Sequence, residues 1–402
     1  MGLDLTTLSQ QVRQMSSTTA QGAAANTARI SRVVARYSEE AGKEQHWAAA
    51  VNLSREAFSW LLARPVEPLD TARDLSEVPS NYALVASDGS QIDLDRHGSA
   101  AYYLINIGRV FLRYGEQPLA RLSSAPMLYY RDEDLYLGDG INRVAIEGNY
   151  LSARRDVDEG VALVALADEF LTDDLPALAL QDGTLIRWTL AGAERFVQTH
   201  FLQRYLDYLN TMRQRNIPVA SYISRPRSPE LVGVIRLMFC PDVDVAAGRG
   251  AVCAKCSAID ATGMPPCAPC ERLVDADVLA AQLREGQRGP LCISMSRINI
   301  ESYGEHLIHF FYMRIGRELA RIEIPRWVAQ DPDQVDLVHA LVYDQAARGQ
   351  GYPVALERAH EQAVVRSADR RTFQRMLESS LYRAEAAVGM SAKQESKSFV
   401  KG

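Results

Sequence analysis

The sequence predicts a mixed α/β fold, and three observations lead to this prediction. Two apolar runs with the composition of buried strands end in similar tripeptides, Asp-Gly-Ser at 88–90 and Asp-Gly-Thr at 182–184. A long run of helical periodicity, 142–171, lies between them, and helices and strands alternate after the second tripeptide. Because strand meanders followed by alternating helices and strands build a mixed sheet, we expect such a sheet with helices packed on it.

Each element is predicted from a local pattern. The first 62 residues are rich in Ala and helical in periodicity, and Pro65 and Pro68 end this region. The predicted strands are 82–87, 99–113, a hairpin-like piece at 127–137, the run that ends at Asp182, 218–223, 291–300, 306–315 and 318–324. The predicted later helices are 142–171, 194–215, 229–239, 333–348 and 354–381.

Length and composition set the expected domain organisation. With 402 residues, 47% of them hydrophobic, the chain can form one large domain with insertions or two domains. We predict an N-terminal helical region and linker at 1–78 and a main domain at 79–390. The main domain contains a Gly-, Pro- and Cys-rich insertion at 240–290, and a flexible polar tail follows at 391–402.

Charge and apolar patterning exclude several classes of protein. The net charge of −6 argues against a protein that coats nucleic acid, but not against a nuclease with local basic patches. No apolar run is long enough to span a membrane, and the N-terminal segment lacks an apolar signal core. The expected location is therefore the cytoplasm. The sequence has no Gly-x-x-x-x-Gly-Lys-[Ser/Thr] pattern, so we expect no ATPase activity in this chain.

The order of elements is that of the ribonuclease-H-like fold. In that fold the first and fourth strands are neighbours at the centre of the sheet, which would place Asp88 and Asp182 side by side. Two carboxylates held together repel each other unless a cation lies between them. Carboxylate oxygens suit Mg²⁺ or Mn²⁺, and these ions suit the hydrolysis of phosphodiesters.

A site that holds two of these ions needs a third acid, and Glu169 is the candidate. It lies thirteen residues before Asp182, at the end of the long predicted helix. Asp168 points about 100° away from it around the helix, so only one of the two can face the site. A single Asp-Gly is usually an ordinary turn, so this interpretation depends on the pair of tripeptides and on the acid between them.

Four segments, in this order, resemble the NurA nuclease family. They are 88–90, Glu169 with 182–184, the Tyr-Ile-Ser-Arg-Pro run at 222–226, and Pro-Val-Ala-Leu-Glu-Arg-Ala-His at 353–360. The resemblance covers about residues 80–365. It implies a ribonuclease-H-like fold and the hydrolysis of DNA with two Mn²⁺ or Mg²⁺ ions. It also implies a homodimer that works with a HerA-type hexameric ATPase in 5′–3′ end resection and double-strand break repair.

The resemblance also assigns roles by position. Asp88, Glu169 and Asp182 become ligands of the catalytic metal. His360 becomes a further ligand or a proton shuttle, because its charge can change near neutral pH. Tyr222 becomes an accessory residue of the site. Without the family pattern, His360 would more often be an ordinary helix-face histidine, and Tyr222 is as often a half-buried strand aromatic.

Two other functions stay open at this point. One is a catalytically silent scaffold subunit that binds nucleic acid within an ATPase complex. The other is a ribonuclease-H-like enzyme that acts on RNA or on hybrids.

The insertion contains two Cys-x-x-Cys pairs that predict a metal site. Cys253 with Cys256 and Cys267 with Cys270 have the spacing of a structural four-thiolate zinc site, with an iron–sulfur cluster as the competitor. Cys240 and Cys292 belong to no such motif, and we interpret both as core thiols.

Two groups of arginines are candidates for contact with DNA. Arg225 and Arg227 follow the Tyr222 strand and could hold a backbone phosphate. Arg366 and Arg370 follow His360 by six and ten residues, and we interpret them as a phosphate track that leads to the acidic site.

Overall fold

A computed structural model gives the fold of this chain. It describes residues 3–54, 61–95, 101–138, 140–172, 174–253, 256, 258–259, 261 and 263–383. The predicted tail at 391–402 lies outside this part of the chain. The chain forms two compact units. Unit 1 comprises 1–74, 225–296 and 309–321, and unit 2 comprises 75–224, 297–308 and 322–402.

The helices and strands in chain order are as follows. The helices are α1 (Leu5–Glu39), α2 (Glu44–Ser54), α3 (Asp132–Leu135), α4 (Asn149–Phe170), α5 (Arg195–Gln214), α6 (Glu230–Met238), α7 (Asp275–Leu279), α8 (Arg297–Ser302), α9 (Arg326–Ala329), α10 (Pro332–Arg348), α11 (Val354–Ala363) and α12 (Ser367–Arg383). The strands are β1 (Ala63–Pro65), β2 (Tyr82–Asp95), β3 (Tyr102–Tyr114), β4 (Leu119–Tyr129), β5 (Tyr136–Leu137), β6 (Val144–Ala145), β7 (Ala177–Asp182), β8 (Val219–Ser224), β9 (Cys292–Ser294), β10 (Ile308–Ile315) and β11 (Glu318–Pro325).

Unit 2 contains the neighbouring strands β8–β7–β2–β3–β4 of a mixed sheet. β2 pairs antiparallel with β3, and β3 pairs antiparallel with β4. On the other side of β2 lies β7, which runs parallel to it, and β8 runs parallel to β7. The first and fourth strands of the predicted domain are therefore neighbours in the middle of this run. This confirms the mixed α/β class and the ribonuclease-H-like strand order.

Helices α4 and α11 pack on opposite faces of β2. Consecutive side chains of a strand point to opposite faces, and consecutive residues of β2 contact the two helices. Ser87 faces α4, and its Oγ donates a hydrogen bond to the Glu159 carbonyl at 3.0 Å. Asp88 faces α11, which carries His360. Buried apolar side chains of α4 and α5 form the core on the face of the sheet that α4 covers, among them Val157, Leu163, Leu166, Phe201 and Leu209. This core fixes which residues of α4 lie over β2.

Several predicted boundaries are wrong for identifiable reasons. The segment 127–137 is no hairpin, because Tyr129 ends β4 and α3 follows. The segment 291–300 is a short strand followed by α8. The predicted helix 354–381 is two helices. Val364 leaves the helical conformation, and the N–H of Arg366 is then capped by the Asp369 carboxylate at the start of α12.

Unit 1 combines the N-terminal helices with the Cys-rich segment. Within it β9 pairs antiparallel with β1 and with β10. The buried hydroxyl of Tyr37 in α1 donates to the Leu69 carbonyl, and the Arg288 guanidinium pairs with Glu67 at 2.7 Å. None of the helices in the described ranges is long and apolar enough to cross a membrane.

Candidate active site

Asp88 and Asp182 lie on neighbouring parallel strands in unit 2. The register pairs Ser87 with Gln181, so the two aspartates are the next residues along their strands. β7 ends at Asp182, whereas β2 continues to Asp95. The structure thus brings together the two acids that the sequence placed at the ends of its two strand-like runs.

Asp182 has a raised pKa, and its neighbours explain the shift. Asp182 is the exposed last residue of β7, but its carboxylate is largely buried. This burial is the largest cause of the higher pKa. The Tyr352 hydroxyl opposes this by donating a hydrogen bond to the carboxylate, and the negative charge of Asp88 raises the pKa further. The pKa of Tyr352 is itself raised, first by burial and then by the Asp182 charge. Tyr352 therefore orients Asp182, and the sequence analysis missed it.

His360 contacts the other aspartate. Its Nδ1 lies 2.8 Å from Asp88 Oδ2. In the tautomer that carries its proton on Nδ1, the imidazole donates to Asp88 and Nε2 keeps a lone pair. The His360 side chain is 68% exposed and that of Asp88 only 19%, so the imidazole covers the carboxylate from the solvent side.

The third acid next to Asp88 is Glu159, in the middle of α4. Burial raises its pKa to about 8, and the charges of Asp156 and Asp88 add to this effect. Its Oε1 lies 3.3 Å from Arg155 Nε, and Gln181 Nε2 donates to its Oε2 at 3.3 Å. Glu159 is therefore held between β2 and β7 on the α4 face.

Gly89 leaves the space that Glu159 occupies. A Cβ on Gly89 would lie 2.6 Å from Glu159 Oε1 and 2.6 Å from Arg155 Cγ. The prediction that Gly89 ends its strand is wrong, because β2 runs through it. The matching prediction for Gly183 is right, because β7 ends just before it and its φ is +75°.

The structure does not bring Glu169 into this cluster. Its side chain is 55% exposed, and its Oε2 lies 3.3 Å from Arg109 Nη2. Ten residues separate it from Glu159, which is about 15 Å along a helix. Glu159 could have been found by periodicity, because it shares the buried stripe of α4 with Leu163 and Leu166.

Tyr222 is placed beside the site rather than in it. The residue is buried, and its hydroxyl donates to the Gly351 carbonyl at 3.0 Å. Its ring contacts the Tyr352 ring edge to face, with centroids 5.5 Å apart. Tyr222 thus supports the segment that carries Tyr352, and its role as an accessory residue of the site stays a prediction.

The candidate DNA-binding arginines occupy different places. Arg370 Nη2 donates to the Gln91 carbonyl at 3.1 Å, three residues after Asp88. Arg366 is exposed at the start of α12. Arg225 and Arg227 are exposed in unit 1, and the Arg225 guanidinium pairs with Glu318.

The chemistry of this cluster fits a divalent cation. Asp88, Glu159 and Asp182 supply carboxylate oxygens. Burial raises the pKa of both Glu159 and Asp182, and the negative charge of Asp88 raises each of them further. A cation between them would relieve this repulsion. In the described residues, no three His, Cys, Asp or Glu side chains are close enough to form a ready-made metal site.

Four of the six cysteines line one cavity of unit 1. A cavity is lined by Cys253, Cys256, Cys267 and also Cys240. Cys270 is fully buried and does not line this cavity. Cys240 is therefore not the isolated core thiol that its sequence context indicated, whereas Cys292 is buried in the core as expected.

Comparison with protein families identifies the family of this chain. The NurA domain model matches residues 82–365, which include every residue of the acidic cluster. The chain belongs to the NurA family. NurA is a nuclease family, so the cluster of Asp88, Glu159 and Asp182 lies in a nuclease domain.

Other comparisons add little to this identification. The structure resembles the crystal structure of LC9-RNase H1, a type 1 RNase H with the type 2 active-site motif. The sequence identity is 13% and the TM-score 0.22, over 36% of this chain and 64% of that chain, less than two thirds of its length. The comparison with curated proteins found no match.

Proposed function

We propose that this NurA-family chain is a divalent-metal-dependent deoxyribonuclease with its active site at Asp88, Asp182 and Glu159. The observation that carries the proposal is the placement of Asp88 and Asp182 side by side on neighbouring parallel strands, with His360 bonded to Asp88 and with Glu159 of α4 near enough to Asp88 for the two charges to interact. Bound Mn²⁺ or Mg²⁺ ions would activate the attacking water and stabilise the leaving oxygen. Family membership supports this choice of reaction and of ions.

The remaining residues position the reacting groups. His360 holds Asp88 through Nδ1, and its Nε2 can accept a proton or add a ligand atom. The Tyr352 hydroxyl fixes the Asp182 carboxylate. The guanidinium groups of Arg155 and Arg370 both reach Gln91, so positive charge lies along β2 just beyond Asp88. Backbone phosphates of DNA suit such a place.

Two carboxylates on α4 provide a direct test of the third ligand. We expect Glu159→Gln, like Asp88→Asn, to lower the cleavage rate about 100-fold or more, because each removes an interaction with the metal. Glu169→Gln changes an exposed acid on the same helix and should cleave at the wild-type rate. If Glu169→Gln abolishes cleavage and Glu159→Gln does not, the assignment of Glu159 is wrong.

The substrate is tested with end-labelled single-stranded DNA, duplex DNA, RNA and hybrid, each with Mn²⁺ or Mg²⁺. We expect cleavage of DNA and not of RNA. Cleavage of RNA or hybrid alone would favour the ribonuclease alternative, and no cleavage of any substrate would favour the scaffold alternative.

Family membership also supports the proposed partners. We propose that the chain acts as a homodimer with a HerA-type hexameric ATPase in 5′–3′ resection of DNA ends. The sequence has no phosphate-binding loop of its own, so the ATP-driven step must come from a partner. We expect the two proteins to co-elute. We also expect ATP to stimulate cleavage only when both proteins are present.

We also propose a structural zinc site at the cysteine cluster. Closed four-thiolate sites are typical of structural zinc. Metal analysis of the purified chain should give zinc, and iron with visible absorption would instead indicate a cluster.

A further inference from the structure

Gln181 is a buried polar residue in the strand that ends at Asp182. Its side chain is fully buried, so its amide needs hydrogen-bond partners inside the protein. The register pairs Gln181 with Ser87 of β2, whose side chain faces α4. Because paired residues of neighbouring strands point to the same face of a sheet, the Gln181 amide lies on the side that holds Glu159.

Two tyrosines of α5 determine which way this amide points. The hydroxyls of Tyr205 and Tyr208 donate to Gln181 Oε1 at 3.0 and 3.1 Å. A carbonyl oxygen has two lone pairs, so these two bonds use its full capacity as an acceptor. The amide nitrogen of Gln181 therefore faces away from the tyrosines.

The amide nitrogen reaches the Glu159 carboxylate. Gln181 Nε2 donates to Glu159 Oε2 at 3.3 Å. The reverse amide orientation would place two acceptor oxygens against each other whenever Glu159 is ionised, so the tyrosines and the carboxylate favour the same orientation. The other carboxylate oxygen, Oε1, lies 3.3 Å from Arg155 Nε. Each oxygen of Glu159 thus has one nitrogen neighbour.

The backbone of α4 leaves room for the two tyrosines. Gly160 follows Glu159, and a Cβ at this position would lie 2.3 Å from Cδ1 of the Tyr208 ring. The rings of Tyr205 and Tyr208 contact each other edge to face, with centroids 4.9 Å apart, and both are buried. The absence of a side chain at Gly160 therefore lets the two hydroxyls reach Gln181.

Other contacts hold α4 in place without Gln181. Ser87 Oγ donates to the Glu159 carbonyl at 3.0 Å, and Arg187 Nη1 lies 2.8 Å from Asp156 Oδ2, one turn before Glu159. The Arg187 guanidinium also lies 4.4 Å from the centroid of the Tyr205 ring. Loss of the Gln181 amide should therefore change the orientation of the carboxylate rather than the position of the helix.

We propose that Gln181, held by the two tyrosines, is a positioning residue that orients the Glu159 carboxylate for the divalent cation. The inference rests on the proposed function and deepens it. Hydrogen-bond partners behind a metal ligand hold that ligand in its binding orientation, and their loss typically lowers metal affinity or activity by about 10- to 100-fold. Gln181 itself contacts neither the ion nor the DNA.

The test measures the rate of DNA cleavage as a function of Mn²⁺ concentration in wild type, Gln181→Met and Ser221→Ala. Methionine is similar in length to glutamine but cannot donate to Glu159. We expect the Mn²⁺ concentration for half-maximal rate to rise about tenfold or more in Gln181→Met. Ser221 is the matched control, because it is buried, is paired with Gln181 across β7 and β8, and has no hydrogen-bond partner for its hydroxyl among the described residues. Ser221→Ala should keep the wild-type value.

A merely structural role of Gln181 would reduce the amount of active protein and leave the half-maximal Mn²⁺ concentration unchanged. An unchanged value in Gln181→Met, or an equal rise in Ser221→Ala, would therefore overturn the positioning role. Cleavage by the wild type would in that case leave the nuclease proposal standing. A wild-type chain that cleaves no DNA would overturn both.

A second variant keeps Gln181 and decides the question if Gln181→Met does not fold. Tyr205→Phe combined with Tyr208→Phe retains both rings and removes the two hydroxyls that hold the amide. The amide can then turn away from Glu159, and we expect the half-maximal Mn²⁺ concentration to rise about threefold or more, as for the loss of one hydrogen bond. A wild-type value in this double variant would contradict the proposal.

Discussion

Glu159 and Glu169 lie on the same helix but differ in exposure and in their distance from the two aspartates. Both are glutamates of α4, yet one is 8% exposed beside β2 and the other 55% exposed on a different part of the helix. Burial near Asp156 and Asp88 raises the pKa of Glu159 to about 8, so the free site resists having all its acids charged. A divalent cation bound beside Glu159 would favour its charged form against both the burial and the negative charges of Asp156 and Asp88.

Because Glu159 packs on Gly89, we expect a larger residue at position 89 to lower activity without a large loss of stability. Gly89→Ala places a Cβ 2.6 Å from Glu159 Oε1 and from Arg155 Cγ, and both side chains can move away. We expect DNA cleavage to fall by about tenfold or more, while the melting temperature changes little. Gly192→Ala is the control, because its Cβ meets nothing within 4 Å. Equal activity of the two variants would contradict the packing of Glu159 on Gly89.

Asp275 in unit 1 predicts a pH-dependent stability. It accepts hydrogen bonds from the Val232 N–H at 2.9 Å and from the Tyr312 hydroxyl at 2.7 Å, and burial raises its pKa from 3.8 to about 7. Between these values the folded state keeps a proton that the unfolded state has lost, so stability falls as pH rises and then levels off. The full effect is about 4 kcal/mol, from 1.36 kcal/mol per pKa unit.

Asp275→Asn removes this titration and keeps an acceptor for Val232. The melting temperature of the variant relative to wild type should therefore increase from pH 4 to pH 7 and stay constant above that. The exposed Asp168→Asn is the control. A difference that does not change with pH would show that Asp275 does not titrate in this range.

At the scale of elements, the position of α11 decides the geometry around Asp88. Asn106 of β3 donates to the carbonyls of Gln362 and Ala363 at 3.1 and 2.7 Å, and Ser90 Oγ donates to Ala363 at 2.5 Å. These bonds satisfy carbonyls at the C-terminal end of the helix, which have no partner within it. They fix α11 to the strands that carry Asp88, and His360 with it.

Asn106→Ala should lower the free energy of unfolding by about 1–3 kcal/mol, because it removes the Asn106 donor from the Gln362 carbonyl and leaves Ala363 only the bond from Ser90. Asn106→Asp should be worse, since a carboxylate cannot donate and is repelled by the negative end of the helix. Denaturant midpoints measure both effects. Ser124→Ala is the control, because it removes only a bond that Asn106 accepts. A stability of Asn106→Asp equal to wild type would contradict this role.

At the scale of the whole molecule, the chain divides the tasks between its two units. All residues of the acidic cluster lie in unit 2, and all six cysteines lie in unit 1. The NurA match at 82–365 includes residues of both. Unit 1 also contains the N-terminal helices, so the Cys-rich segment shares a compact unit with them rather than standing alone.

Metal binding should therefore be visible in the stability of the chain and should depend on unit 2. At about a hundredfold excess over Kd, Mn²⁺ should stabilise the wild type by about 2.7 kcal/mol and raise the melting temperature. Asp88→Asn should abolish the rise, and Asp168→Asn should preserve it. An equal rise in all three proteins would place the ion elsewhere.

The sequence by itself determined the class of fold and the adjacent position of the two strand-borne acids, whereas His360 was predicted only through the resemblance to a family. Strand composition, Asp-Gly punctuation and element order are local properties, and the parallel pairing of β2 with β7 follows from that order. Only the tertiary structure showed that Glu159 and Tyr352 lie beside the two aspartates and that Cys240 lines the cavity with other cysteines. Each depends on which side of a helix or turn packs against its neighbour. A helix offers several acids at similar spacing, and only the buried core fixes which one lies over the strand.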